Sequence, residues 1–486
     1  MFSFDFLNMS TLIPGLFLIN FVIGLTIIFL ERKNPSATLA WIMILFLVPV
    51  AGIIFYFLLS QNIARQKIFR MTKYEEAIIN ASLNEQFNAI KHGEFDFNNP
   101  ESKKWQDMIR LHQSYSESFF TQDNKITVLT DGRHKFESLI KDIMDAKQSI
   151  NIMYFIVKND SMGRLLIDAL TQKAREGIEV RLLIDAMGSR QISEKMLEPL
   201  RQAGGQSAFF FKPMFKYLNL KLNYRNHRKL VVIDGAIGYL GGFNVGNEYV
   251  GKKKKFGEWR DTHLRLMGSC VQDMNARFIL DWRFASKENI VLSQAYYDEP
   301  FQAGTTGIQI VSCGPDSSKE EIKQGYLKMI SSAKKNIYIQ TPYFVPDASI
   351  LEILKTAVLS GIDVKIMIPC MPDHMFVYWA TYSYVGILLN LGVKIYIYDA
   401  GFMHAKTICV DGEVASIGSA NFDIRSFRLN FEANAFIYDA AEVYKLEAIF
   451  ETDIMKSHEL TKHLYRNRSL MIKFKESVSR LLSDLL

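Results

Sequence analysis

The sequence predicts an α/β protein of two pseudo-symmetric halves, each an α/β/α unit with a mixed sheet, preceded by an N-terminal two-helix transmembrane hairpin. Three observations carry this. The pattern His-x-Lys-x-x-x-x-Asp-Gly occurs twice, from His227 to Gly235 and from His404 to Gly412. An alternation of apolar runs and amphipathic stretches repeats ahead of each copy. The first sixty residues hold two long, almost uncharged apolar stretches.

Leu12 to Leu30 and Leu39 to Leu59 are each long enough for a hydrocarbon layer of ~30 Å, which takes about 20 residues. Between them Glu31-Arg32-Lys33-Asn34-Pro35-Ser36 is a polar turn, so residues 1–60 read as a membrane hairpin. A cleaved signal peptide fits poorly, because a basic n-region is missing and a second span follows directly. A hairpin puts both of its ends on one side, and Arg65, Lys67, Arg70 and Lys73 follow the second span closely, whereas the loop has only Arg32 and Lys33 and the first ten residues carry no basic side chain. The positive-inside bias therefore places the rest of the chain in the cytoplasm.

Residues 61–120 are polar and helix-prone and read as a linker. In the first half, residues 121–300, strands are expected at Ile126 to Leu129, Ile150 to Val157 and Ile178 to Ile184, with helices at His134 to Ala146 and Gly163 to Arg175. In the second half, residues 301–486, the same order recurs as Ile308 to Val311, Lys319 to Ala333, Asn336 to Gln340, Ile350 to Leu359 and Ile362 to Ile368. Gly177-Ile178-Glu179-Val180-Arg181 matches Gly361-Ile362-Asp363-Val364-Lys365.

Each His-Lys copy reads as a hairpin turning at its Asp-Gly. Residues i and i+2 of a strand share a face, so His227 and Lys229 point one way, as do His404 and Lys406. At about 3.3 Å per residue, Asp234 lies roughly 23 Å from His227, too far to be a third catalytic group. Folding back at the turn brings Asn244 to the end that holds His227. The same construction sets Ser419 and Asn421 beside His404. Each copy thus offers an imidazole, an ammonium and an amide, and since each half brings only one His and one Lys, the complete site lies between halves.

Such a set suits a phosphodiester. Attack at phosphorus builds charge on the non-bridging oxygens, which fixed Lys and Asn donors stabilise. One His acts as nucleophile while the other protonates the leaving alkoxide and deprotonates the incoming hydroxyl. This chemistry needs no metal and no cofactor. A carboxylate on the other ring nitrogen would fix the tautomer. By proximity in sequence, Asp261 is expected to orient His227, and Glu432 to orient His404.

These residues resemble the phospholipase D superfamily, whose signature counts His227, Lys229, Asp234, His404, Lys406 and Asp411 among its defining catalytic positions. Within it, Asn421-x-Asp423-x-Arg425-Ser426, Asn430-Phe431-Glu432, the stretch Thr341 to Pro346 and the apolar N-terminus resemble the bacterial cardiolipin synthases. The resemblance implies phosphatidyl transfer between two phosphatidylglycerol molecules through a phosphohistidine on His227. It also implies Asn244, Ser419, Asn421 and Arg425 as phosphate contacts. For Arg425 a salt bridge with Asp423 or Glu432 competes with a phosphate role. One departure is visible: Gly242 stands where the second copy has Ser419, so a hydroxyl contact to phosphate is expected on one side only.

Composition narrows the alternatives. The chain has 486 residues and 57 Lys plus Arg against 51 Asp plus Glu, a net charge of +6, which does not argue for nucleic acid as a partner. That balance and the apolar N-terminus weigh against a nuclease, and the intact His, Lys and Asn sets weigh against a dead-site scaffold. A phospholipase D hydrolase, or transfer to another alcohol, is the nearest rival. Cys270, Cys313, Cys370 and Cys409 show no paired metal spacing and read as buried free thiols. Phe209-Phe210-Phe211, Phe215, Tyr217, Leu218, Leu220 and Leu222, interleaved with lysines, fit either an interfacial patch or a packed loop. The Lys252 to Lys255 run fits a solvated loop or an anionic-lipid contact, and His263 an ordinary hydrogen-bonded histidine. Leu470 to Leu486 fits either an amphipathic membrane contact or a packed terminal helix.

Overall fold

The strand order displays the duplication directly. In the computed structural model, which describes residues 9–31, 35–59, 68–69, 71–212, 223–290, 302–481 and 483, one mixed sheet runs through both halves. The first half supplies β1 (Thr121–Leu129), β2 (Ser149–Tyr154), β3 (Glu179–Asp185), β4 (Gln206–Phe210), β5 (Leu230–Ile233), β6 (Ile237–Gly241) and β7 (His263–Met267). They lie in the order β1-β7-β6-β5-β2-β3-β4. The second half repeats this with β8 (Thr306–Cys313), β9 (Asn336–Gln340), β10 (Asp363–Pro369), β11 (Lys394–Tyr398), β12 (Thr407–Val410), β13 (Val414–Gly418) and β14 (Asn430–Tyr438). Their order is β8-β14-β13-β12-β9-β10-β11, with Ser457–Glu459 added at the edge. β1 pairs antiparallel with β8, which joins the halves.

The local sequence explains each part. β2, β3 and β4 run parallel, as do β9, β10 and β11. Parallel neighbours need crossover connections, and the helices Ser161–Arg175 and Ala348–Leu359 supply them. Asp160 and Asp347 cap these helices by accepting backbone N–H bonds in the first turn. The repeated Gly177 and Gly361 follow them at φ 85° and 89°, the left-handed region that glycine enters without a Cβ penalty. The Asp-Gly turns have positive φ at both residues, 53° and 64° in the first hairpin and 58° and 71° in the second. That twist matches the flanking strands and brings Leu230 opposite Leu240 and Thr407 opposite Ile417.

The helix Gln106–Ser116, within the stretch read as a linker, packs inward. Met108 and Ile109, with the neighbouring Trp105, share a core with Ile322, Tyr326 and Met329. Phe210 and Phe211 are core residues as well, packed on Phe69, Phe284 and Phe431, so for these two the packing alternative holds. Phe215, Tyr217, Leu218, Leu220 and Leu222 lie outside the described residues, as do Arg32 to Asn34, Arg65, Lys67 and Arg70.

At the N-terminus the helix Met9–Thr26 continues into a wider turn, Ile27–Glu31. The second apolar stretch, expected as one span, is two helices, Pro35–Leu47 and Pro49–Leu59. Pro49 has no N–H to donate and breaks the first of them. Among the described residues no helix is long and apolar enough to cross a membrane. The three helices hold together through Ile27, Trp41, Leu45 and Tyr56, and Asn20 donates to the Leu45 carbonyl at 2.8 Å. Phe17, Phe21, Phe29, Leu47 and Phe55 face outward.

Candidate active site

Each motif histidine sits just before its hairpin, on a segment that reaches across to the other half. Arg225–Asn226 pairs in parallel with Asn430 and Phe431, and the His227 N–H donates to the Phe431 carbonyl at 2.9 Å. In mirror fashion Gly401–Met403 pairs with Glu258–Arg260, and the His404 N–H donates to the Arg260 carbonyl at 2.7 Å. The residue after each acceptor is a carboxylate. Glu432 therefore meets His227, with Nδ1 3.0 Å from Oε2, and Asp261 meets His404, with Nδ1 2.6 Å from Oδ2.

This exchanges the expected pairing of Asp261 with His227 and Glu432 with His404. Sequence distance favoured partners within one half, but the parallel pairing between halves delivers each carboxylate to the opposite imidazole. A carboxylate oxygen accepts, so Nδ1 carries the proton and Nε2 keeps a lone pair in the neutral ring. Phe155 packs edge-on against His227, centroids 4.8 Å apart, and Trp259 lies 5.1 Å from His404.

Burial pushes the His227 imidazole down to about 4, against an opposing pull from Glu432. Burial lowers His404 too, with the Lys406 ammonium adding to it. The same cause brings Lys229 to about 7 and Lys406 to about 8. Burial would raise Glu432, but His227 and Lys229 outweigh it and hold the carboxyl below its usual range. Lys406 and His404 do the same for Asp261. Both lysines donate to the carbonyl of their own histidine, Lys229 at 2.6 Å.

His227, His404, Asn244, Asn421 and Arg425 line one cavity of about 880 Å³. Asn244 also accepts from the Ile156 N–H at 3.1 Å, and the Asn421 amide donates to Asp423 at 3.3 Å. Arg425 donates to the side chain and carbonyl of Asn223 at 2.9 and 2.8 Å, and the Asp423 and Glu432 carboxylates favour its charge. Ser419 is placed differently from expectation. It is fully buried, its hydroxyl accepts from the Ala433 N–H at 3.0 Å and donates to the Ala433 carbonyl at 3.4 Å, and it is among the groups that lower the Glu432 carboxyl. It backs the carboxylate that orients His227. The counterpart Gly242 has its own reason: a Cβ there would run into the Asp261 carboxylate.

Asp234 and Asp411 lie at the far ends of their hairpins. Asp234 accepts from the N–H groups of Lys147, Gln148 and Ser149 at 2.8, 2.7 and 2.9 Å. Asp411 accepts from Lys334, Lys335 and Asn336 at 2.7, 2.7 and 3.1 Å. Each fastens its turn to the next strand, so among the signature positions these two are architectural. His263 is buried, and neither ring nitrogen has a hydrogen-bond partner among the described residues, unlike the ordinary bonded histidine expected. Lys253, from the Lys252 to Lys255 run, bonds Glu248 at 2.9 Å and lines the cavity with Lys255.

Sequence reasoning missed the braces. Arg228 is buried, clasps Asp281 at 2.8 and 2.9 Å, and donates to the Glu432 carbonyl at 3.1 Å. Arg260 holds Asp453 through Nε at 3.0 and 3.1 Å. Tyr249, Trp259, Tyr343 and Asp373 are also on the cavity wall. Their signal was adjacency alone: Arg228 and Arg260 each sit next to a singled-out residue.

Two histidines, each braced by a carboxylate from the opposite half of a duplicated α/β sheet, define a phosphodiester-processing class. The family described as cardiolipin synthase, PLD-like domain, matches residues 139–255 and 326–454, and a phospholipase D-nuclease N-terminal family matches residues 18–61. A cardiolipin synthase of Oceanobacillus iheyensis is 49% identical, covering 99% of this chain and 100% of that protein. The major cardiolipin synthase ClsA of Bacillus subtilis is 50% identical over 98% of this chain and 99% of its own. Among solved structures, a phosphatidylserine synthase of Haemophilus influenzae superposes with a TM-score of 0.60 at 16% identity, covering 78% of this chain and 97% of that one, which shows the shared fold. The chain belongs to the cardiolipin synthase family of phospholipase D-like proteins.

Proposed function

We propose that this protein is a membrane-anchored phosphatidyltransferase that converts two phosphatidylglycerol molecules into cardiolipin and glycerol. The observation that carries the reading is that His227 and His404, each fixed by a buried carboxylate, open into one cavity with Asn244 and Asn421.

Nε2 of neutral His227 attacks the donor phosphorus. The bond from phosphorus to the glycerol oxygen breaks, and His404 gives that oxygen its proton, leaving a phosphatidyl-histidine and free glycerol. His404, now neutral, takes the proton from a terminal hydroxyl of a second phosphatidylglycerol. The new alkoxide attacks phosphorus, the bond to Nε2 breaks, and both rings return to their starting states. Lys229, Lys406, Asn244 and Asn421 stabilise charge on the non-bridging oxygens.

The assignment of roles has physical support. Burial keeps His227 neutral down to about pH 4, as a nucleophile requires. Burial and Lys406 lower His404 as well, and its short contact with Asp261 is the pull that offsets them in a ring that must carry a proton. The outward Phe17, Phe21, Phe29 and Phe55 of the N-terminal helices support their insertion into a bilayer. The basic residues after Ser60 support a cytoplasmic catalytic part.

Purified protein incubated with phosphatidylglycerol vesicles is expected to yield cardiolipin and glycerol; phosphatidic acid as the sole product would reassign it as a hydrolase. With labelled donor, a His404→Asn protein is expected to retain label on His227. Label on His404 in a His227→Asn protein would reverse the two roles.

A further inference from the structure

The C-terminal helix Leu470–Leu481 is turned inside out relative to an ordinary packed helix. At 100° per residue, Leu470, Met471, Phe474, Val478 and Leu481 form one stripe, and Ile472, Glu476 and Ser479 lie on the opposite side. A helix that packs for stability buries the apolar stripe. Here Leu470, Met471, Phe474 and Leu481 are 83, 62, 65 and 79% exposed, while Glu476 and Ser479 are 4 and 2% exposed.

The buried polar side is well held. Arg468 pairs with Glu476, its Nη2 donating to Oε2 at 2.8 Å, and the helix lies along Met375–Leu391, where Arg480 stacks over Tyr384 and Lys475 over Trp379. Just beyond the helix, Ser483 meets the Tyr384 hydroxyl at 3.0 Å and lines the catalytic cavity. The helix Met375–Leu391 itself starts at the cavity wall, where Asp373 and His374 stand. Its first turn presents Met375 and Phe376, 52 and 54% exposed. Both helices thus reach the cavity wall, the first through Asp373 and His374 and the last through Ser483, and Lys473 and Lys475, both exposed, flank the apolar stripe.

We propose that this stripe, with Met375 and Phe376, docks on the surface of an anionic bilayer and seats the cavity mouth at the headgroups. The occupant follows from two features. Apolar residues bordered by lysines match the layer between headgroups and acyl chains. The cavity beside them must also take a substrate that resides in that layer. The inference rests on the reading that the substrate is a bilayer lipid. The N-terminal helices tether the chain, and this second contact orients it.

The test uses the full-length protein reconstituted in vesicles containing phosphatidylglycerol, with a photoreactive benzophenone side chain at position 474 and, separately, at position 444. Tyr444, 72% exposed on the helix Ala440–Ile454, is the control. A lipid adduct at 474 and none at 444 is the expected result. A cross-link from 474 to a second chain, or no adduct at all, would overturn the proposal. Replacing Leu470→Ser, Met471→Ser and Phe474→Ser together is expected to lower cardiolipin formation on vesicles at least fivefold, with turnover of short-chain phosphatidylglycerol below its micellar concentration unchanged. Equal losses on both substrates would assign the helix a structural role and reject docking. Failure of the parent protein to form cardiolipin would sink the functional reading by itself, because the cross-link does not depend on turnover.

Discussion

The two halves place the same groups at the same points of the same sheet, yet they support their histidines unequally. His227 leans on a glutamate that Ser419 and the Arg228 brace hold in place. His404 leans on a shorter aspartate, seated where Gly242 leaves room for it, and Lys406 Nζ lies 2.9 Å from the same ring nitrogen. The framework repeats, while each carboxylate comes with its own backing residue. The Ser419 and Gly242 difference goes with a longer or a shorter carboxylate at the facing position.

The comparison can be broken most forcefully at the rings. His227→Asn and His404→Asn are each expected to lower turnover by about a thousandfold or more. Only the second should accumulate the labelled intermediate, and accumulation in both would erase the distinction between halves.

Removing one carboxylate charge comes next. Glu432→Gln is expected to slow formation of the phosphatidyl-histidine, and Asp261→Asn both proton transfers, each by about a hundredfold or more. Rapid-quench kinetics separates these steps, and identical effects on both would show that the crossed pairs are interchangeable.

Exchanging the backing residues is gentler. Gly242→Ser displaces Asp261 and is expected to cost about 1–3 kcal/mol of stability along with at least tenfold in activity, because the added atoms have no space. Ser419→Gly only loosens Glu432 and should cost less than tenfold in turnover. The reverse ranking would restore a phosphate role for the Ser419 hydroxyl.

The turn aspartates should behave alike in both halves. Asp234→Ala and Asp411→Ala each leave three backbone N–H groups without their acceptor, at about 2–4 kcal/mol of stability by denaturant unfolding. Turnover of the molecules that remain folded should change less than threefold.

The last comparison is a pH effect on stability. His227 titrates near 4 when folded and near the ordinary 6.5 when unfolded, so between these values the unfolded chain binds more protons. Stability is therefore expected to fall as pH drops through that window. A His227→Asn protein should show a shallower decline, and an unchanged slope would assign the acid sensitivity to other buried groups.

Local patterns gave reliable readings where local physics governs. Apolar runs, Asp-Gly pairs and the repeated Gly177 and Gly361 marked strands, hairpin turns and helix ends because backbone preferences act over a few residues. The 28-residue and 34-residue separations from His404 to Glu432 and from His227 to Asp261 misled for the opposite reason. Chain distance says nothing about partners once two strands meet across a domain boundary.

By itself the sequence determined the duplicated α/β framework, the identity of both histidine-lysine pairs and the side of each hairpin on which they stand, since strand periodicity and turn chemistry are written into neighbouring residues. Only the tertiary structure decided which carboxylate serves which ring, that Ser419 backs Glu432, and that the last helix turns its apolar stripe outward. Those outcomes depend on segments far apart in the chain being packed side by side, where space and burial select the contacts.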